Sequence, residues 1–236
     1  MNIFDILLYQ PLFNLLILFY EYFPGHDFGV AVILLTVFIR FLLYPLMAES
    51  LRVQKVTMMI QPKMKEIQDK YKDDKEKQAM FIMQLWQEHK INPFASFLFL
   101  LLQIPILWTL YRVFLDGFKD GSLSMVYGFL PNPGTINATF LGIADLSGPY
   151  PAFAVIAAVL QYIQVKMMTP PKPVDTGKEK TQSEQFAEMM RWQSIYVFPA
   201  LTALIFWGLP SALGLYWVVS SLFTIGQQYV ILKSNR

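Results

Sequence analysis

Five apolar stretches constrain this chain more than any other feature. They occupy 26–48, 94–115, 150–168, 194–209 and 211–232. A helix that crosses a bilayer needs about 20 mostly apolar residues, so each is a candidate span. Gly208-Leu209-Pro210 separates the last two, and Gly with Pro punctuates a turn, so these two are expected to form a tight hairpin. Only 15% of the 236 residues are charged and 55% are hydrophobic. Soluble domains carry about 25% charge. An all-α integral membrane protein with five transmembrane helices follows.

Lysine and arginine orient it. The segment 49–93 holds nine: Arg52, Lys55, Lys63, Lys65, Lys70, Lys72, Lys75, Lys77 and Lys90. Lys166, Lys172, Lys178, Lys180 and Arg191 cluster around 169–193, and Lys233 and Arg236 end the chain. The opposite side holds Arg112 and Lys119 only. By the positive-inside rule the N-terminus is outside and the C-terminus cytoplasmic.

The connecting segments have their own signatures. Residues 1–25 are apolar but interrupted by Asp5, Gln10, Asn14 and Glu21. They read as an outer interfacial amphipathic helix, with a sixth span as the alternative. In 49–93, Val53, Val56, Ile60, Met64, Ile67 and Tyr71 recur at helical spacing. Asp73-Asp74 breaks that helix and a second follows, giving a cytoplasmic helical hairpin. It is either a solvated hairpin or a docking surface. Pro62 is expected to kink or restart its first helix, and Asn92-Pro93 to cap the next. Residues 116–149 read as an outer loop on the membrane surface, 169–193 as a cytoplasmic linker and 233–236 as a short cytoplasmic tail.

Much chemistry is missing from the sequence. With no cysteine there is no disulfide, Cys-ligated zinc, iron–sulfur cluster or lipidated cysteine. The two histidines, His26 and His89, lie far apart. There is no GxxxxGK[ST], HExxH or GxSxG motif, and no Asp or Glu well inside a span, as coupled carriers need. No catalytic residue, cofactor or metal site is expected.

What remains is Arg40, the only charge between Phe28 and Ala48. On a straight helix it would lie about 10 Å from the cytoplasmic end, at 1.5 Å per residue. Snorkelling would lower its cost without explaining its presence, and an intramembrane arginine points to a wet, protein-lined cavity. Gln103, near Pro105, faces mid-span in the second segment. Gln161 and Gln164 lie in the third. The fifth offers Trp217 and Ser221, with Ser220, Thr224, Gln227 and Gln228 on one helical face. Each polar group either lines such a cavity or glues helices together.

Four stretches, DFGVAVILLTVFIRFLLYPL (27–46), QPKMKEIQDKYKDD (61–74), NPFASFLFLLLQIPILWTLYRVF (92–114) and FPALTALIFWGLPSALGLYWVVSSLFTIGQQYVI (198–231), carry a resemblance to the YidC/Oxa/Alb membrane-protein insertases. QPLFNLLI (10–17) is similar to that family's outer interfacial helix. The resemblance implies five helices around a hydrophilic groove open to cytoplasm and lipid, containing Arg40, Gln103 and Trp217; Ser220, Thr224 and Gln227, from the polar face of the last segment, complete the expected groove set. It implies insertion of short-tailed one- or two-span proteins without ATP hydrolysis, in a bacterial plasma membrane. The implied partners are nascent membrane proteins and the bilayer, with the Sec translocon, the ribosome and the signal recognition particle machinery as further candidates; no nucleic-acid specificity is expected. The large extracytoplasmic domain, lipoprotein cysteine and long basic tail of some members have no counterpart here, which puts tail-mediated ribosome docking in doubt. A small solute channel or carrier and an assembly-stage chaperone are the competing classes.

Overall fold

The computed structural model describes residues 3–23, 25–92, 94–117, 125–169 and 182–233. The expected linker 169–193 falls outside these residues over 170–181, as do Pro93 and 234–236 of the expected tail. Nine α-helices are described: α1 Gln10–Tyr22, α2 Phe28–Leu42, α3 Tyr44–Lys70, α4 Lys75–Glu88, α5 Phe94–Asp116, α6 Pro151–Met167, α7 Gln182–Trp192, α8 Phe198–Trp207 and α9 Ser211–Lys233. Pro11 and Pro199 each stand second in their helices, and each follows a π turn, Asp5–Tyr9 and Gln193–Val197. A proline cannot donate and its ring pushes away the carbonyl four residues back. The widened turn absorbs that misfit.

The described residues are all-α apart from a small hairpin, β1 Thr139–Phe140 paired antiparallel with β2 Ala144–Asp145. Among the described residues, α5 and α9 are long and apolar enough to cross a membrane. The pair α2 and α3, bent by 66°, makes a third if it is one span. α6, with 17 residues, is a shorter apolar helix.

Three local expectations change. The segment 26–48 is not one straight helix: α2 ends at Leu42 and α3 starts at Tyr44. Pro45 is the cause, since it lacks an N–H and its ring would clash with the carbonyl of Phe41. The straight-helix depth of Arg40 therefore does not apply; it sits in the last turn of α2, beside the bend. Pro62, by contrast, neither breaks nor restarts α3, which runs through it on its exposed face. Residues 182–192 are helical rather than linker, and lead through the π turn into α8.

α3 and α4 form a hairpin. Tyr71 stacks on Phe81 at 4.6 Å, and Asp74 caps α4 by accepting from the Lys77 N–H at 3.0 Å. The Lys77 ammonium, hydrogen-bonded to it, and then that backbone N–H hold the Asp74 carboxyl below its ordinary pKa. Asn92 caps α5 by accepting from the Phe94 N–H at 3.0 Å. Lys55 reaches from α3 to the end of α9 and donates to the Ile231 carbonyl at 2.8 Å. A cation there satisfies carbonyls that have no helical partner.

The helices close around one core that includes Phe28, Leu35, Leu110, Phe114, Leu213 and Tyr216. α9 packs against α2 and α6, and α6 also against α8. α1 buries Phe13, Leu16, Ile17 and Tyr20 on one face against this core, and Tyr9 of the preceding π turn joins them.

At the end opposite the α3–α4 hairpin, side-chain bonds tie several segments together. Buried Asn14 donates to the Met125 carbonyl at 3.1 Å and accepts from the Tyr127 N–H at 2.6 Å. Ser211 Oγ donates to the Gly148 carbonyl at 2.7 Å. Arg112 pairs with Asp5 at 2.6 Å and lies over the Tyr9 ring, whose hydroxyl donates to Asp116 at 3.2 Å. Burial, then the Asp116 carboxylate, pushes the Tyr9 phenol above its ordinary pKa.

Gly29 shows how tight this end is, because a Cβ there would overlap the Phe140 side chain. Gly29→Ala is expected to cost about 1–3 kcal/mol, a typical penalty of overpacking. The melting temperature in detergent should fall by several degrees. Adding Phe140→Ala should restore part of the loss; a purely additive double variant would mean that the two do not meet.

Candidate functional site: a buried cation in a polar cavity

The bend at Pro45 turns α3 away from α2 and leaves Arg40 at the wall of a cavity of about 500 Å³. Four sides can be named. α2 and α3 supply Arg40, Met47, Ser50, Leu51 and Gln54; α5 supplies Phe99 and Gln103. α6 supplies Gln161, Gln164 and Val165, and α9 supplies Trp217, Ser220, Ser221, Thr224 and Gln228. Among the described residues Arg40 is the only charged group in this wall.

Arg40 is 7% exposed. Its Nη1 donates to Met47 Sδ at 3.3 Å, a weak acceptor. The Tyr216 hydroxyl stands beside the guanidinium and accepts a hydrogen bond from Gln103 Nε2 at 2.9 Å. Arg40 Nε has no partner, and no ion pair to Arg40 occurs among the described residues. A buried guanidinium without a carboxylate is costly in a dry interior, so its environment must supply other polar partners.

The cavity wall carries more such atoms. Gln103 Oε1, Ser220 Oγ and Gln228 Oε1 are also buried without a protein partner. Buried polar groups are rarely left unpaired. A volume of this size, lined by several such groups, suits ordered water.

Other polar groups here are structural. Gln161 Oε1 accepts from Thr202 Oγ1 at 2.7 Å and joins α6 to α8. Thr224 Oγ1 donates to the Ser220 carbonyl at 2.9 Å, which uses its hydrogen and leaves the oxygen able to accept. Trp217 packs its ring 5.1 Å from that of Phe206, which places an aromatic wall between α8 and the cavity.

Of the residues singled out from sequence, Arg40, Gln103, Trp217, Ser220 and Thr224 come together. Gln227 does not line the cavity. It is 6% exposed, and neither of its amide atoms has a partner. The face through Trp217, Thr224 and Gln228 is centred roughly 80° around the helix from Gln227, at 3.6 residues per turn. Sequence reading missed Tyr216, whose hydroxyl links Gln103 to Arg40, and the α3 wall of Met47, Ser50 and Gln54. Ser50 and Gln54 stand one turn apart, but the bend between them and Arg40 hides the shared wall from periodicity. Among the described residues no cluster of His, Asp or Glu is placed to hold a metal ion.

A family model described as 60Kd inner membrane protein matches residues 18–236. A "Membrane protein insertase YidC" of Geobacter metallireducens is 33% identical over 230 residues, covering 97% of this chain and 37% of the relative. One of Syntrophobacter fumaroxidans is 33% identical over 223 residues, covering 93% of this chain and 37% of the relative. One of Fusobacterium nucleatum is 30% identical over 209 residues, covering 89% of this chain and 88% of the relative. The chain thus spans 37% of the length of the first two relatives and most of the third. A match that takes in the Arg40 bend, the α3–α4 hairpin and all the later helices makes this chain a member of the 60Kd inner membrane protein family, the YidC/Oxa/Alb family that its motifs resemble.

Proposed function

We propose that this chain inserts nascent proteins with short polar tails and one or two spans into the bilayer, without ATP hydrolysis. The observation that carries this is Arg40, with no carboxylate beside it among the described residues and its Nε without a partner, in a polar cavity walled by apolar helices. Moving a polar tail through hydrocarbon strips it of water, and that is the barrier. A wet cavity part-way across gives the tail a hydrated halt. Arg40 attracts an acidic tail, more strongly at low effective dielectric than in bulk water. The tail's neighbouring apolar segment then leaves along the outer faces of α6 and α9 into lipid, at about 0.8 kcal/mol per buried CH₂. Arg40, Gln103, Trp217, Ser220 and Thr224 are the groove residues of this reading.

Its topology is five spans with the N-terminus outside and the C-terminus cytoplasmic. The α3–α4 hairpin stands in the cytoplasm, where its lysines hold it, and α1 lies in the outer interface. α7 and α8 supply the fourth span between them. The chain works alone or beside the Sec translocon, and ribosome or signal recognition particle contacts fall to its cytoplasmic surface. Relatives named membrane protein insertase support the activity.

Purified protein in liposomes, offered a single-span substrate with no Sec channel present, tests it. Protease protection of the substrate's tail should rise well above that of empty liposomes. Equal protection would rule out autonomous insertion. Leakage of small solutes instead would favour a channel.

A further inference from the structure

We propose that the β1–β2 hairpin is a lipid-inserted wedge whose tip, Leu141-Gly142-Ile143, sits among the acyl chains of the leaflet at the end opposite α3–α4. This rests on the reading that the helices cross the bilayer.

The tip is apolar where a soluble loop would not be. Leu141 is 62% exposed and Ile143 74%, with only Gly142 between them. No charged residue occurs from Met125 to Ala144. Scattered exposed apolar residues are ordinary, but a contiguous apolar patch on an uncharged segment marks an interaction site.

The backbone adds an independent argument. Leu141 has φ +50°, in the left-handed region. Glycine or asparagine adopts that conformation readily, whereas a bulky side chain is strained there. Gly142 follows at φ +68°. A leucine is thus held at a position that neither its conformation nor protein packing favours. Burial in an apolar medium outside the protein would offset that strain.

The hairpin is also rigidly aimed. Phe140 packs into the space left by Gly29, and Asp27 Oδ2 accepts from the Leu141 N–H at 2.6 Å. The Tyr20 hydroxyl accepts from the Asn137 N–H at 3.0 Å. Asp27 caps α2 with its other oxygen, accepting from the Val30 N–H at 2.9 Å, so the tip is fixed to the end of an apolar helix. That places it at the level of the bilayer boundary. Lipid is therefore the occupant that fits: a fixed, uncharged apolar tip at helix-end height.

The chain contains no cysteine, so single spin labels can be placed without removing any. Leu141→Cys and Ile143→Cys are labelled in vesicles of phosphatidylethanolamine and phosphatidylglycerol. Collisions with oxygen report lipid and collisions with a water-soluble nickel chelate report water. Labels at Leu204→Cys on α8 and Met83→Cys on α4 serve as references. The oxygen-to-nickel ratio at Leu141 and Ile143 should exceed that of Met83 severalfold and approach that of Leu204. A tip that matches Met83 while Leu204 reads as lipid overturns the wedge alone. A Leu204 label that reads as water overturns the spanning reading and the wedge with it. Protection from both agents would mean that protein covers the tip, and would also overturn it. Leu141→Asn, which relieves the strain and removes the apolar side chain, should leave the melting temperature in detergent unchanged or raised. In vesicles it should make the Ile143 label shallower; an unmoved label counts against the wedge.

Discussion

Arg40→Ala should cut insertion of an acidic-tailed, single-span substrate by at least about tenfold, while Arg40→Lys keeps most of it. Two unit charges 4 Å apart interact by about 4 kcal/mol at an effective dielectric of 20. If only a third of that survives hydration of the cavity, the effect is still about tenfold, since 1.4 kcal/mol is a factor of ten. The site is arranged to leave that attraction available. Arg40 donates to a thioether rather than a carboxylate and keeps Nε unpaired. Lysine preserves the charge but not the planar fork, so its deficit measures the geometry and alanine's deficit measures the charge. The measurement is protease protection of the tail in vesicles, backed by growth of a strain depleted of its own insertase. A substrate whose tail acids are changed to their amides should lose its dependence on Arg40. If alanine inserts the acidic substrate as well as lysine does, the arginine does not pull on the tail.

How far the sequence foretold this site varies by residue, for physical reasons. Arg40 was legible because a lone cation in an apolar run has no ordinary explanation. The bend beside it was not, although Pro45 stands in the same stretch. Membrane helices often tolerate proline, since neighbouring groups re-satisfy the freed carbonyl; whether the helix bends is decided by what surrounds it. Pro62 makes the converse point: on an exposed face it leaves α3 unbroken. The polar stripe of α9 was visible at helical spacing, yet Gln227 fell beyond its edge because periodicity gives a face and not its centre. Tyr216 was passed over beside Trp217. Its role depends on Gln103, 113 positions away, and only the packed fold brings those two together. The α3 wall was hidden because 49–93 read as a hairpin clear of the spans, whereas its first turns line the cavity. The outer loop read as a surface segment, but the left-handed Leu141 that gives it a point is invisible to composition.

Ser220→Leu combined with Gln228→Met should preserve or raise thermal stability and still reduce insertion by about tenfold. Both residues carry a buried oxygen with no protein partner. If these groups were glue between helices, removing them would lower the melting temperature and insertion together, in proportion to the folded fraction. If they exist to hold water, the apolar pair fills space that the protein does not otherwise use. The cavity, at about 500 Å³, has room for it. Each added buried CH₂ contributes about 0.8 kcal/mol, so stability should gain roughly 1–2 kcal/mol, or a few degrees for a chain of this size. The passing tail, however, loses hydrogen-bonding partners. Leaving one buried polar group unpaired costs roughly 1–3 kcal/mol, and 1.4 kcal/mol is already tenfold in rate. Stability and insertion should therefore move in opposite directions, as expected where a polar site is kept at the expense of packing. Melting in detergent and tail protection in vesicles, measured on the same preparation, decide it. A stable variant that inserts normally would show that substrate does not pass through this cavity, whatever Arg40 does at its wall.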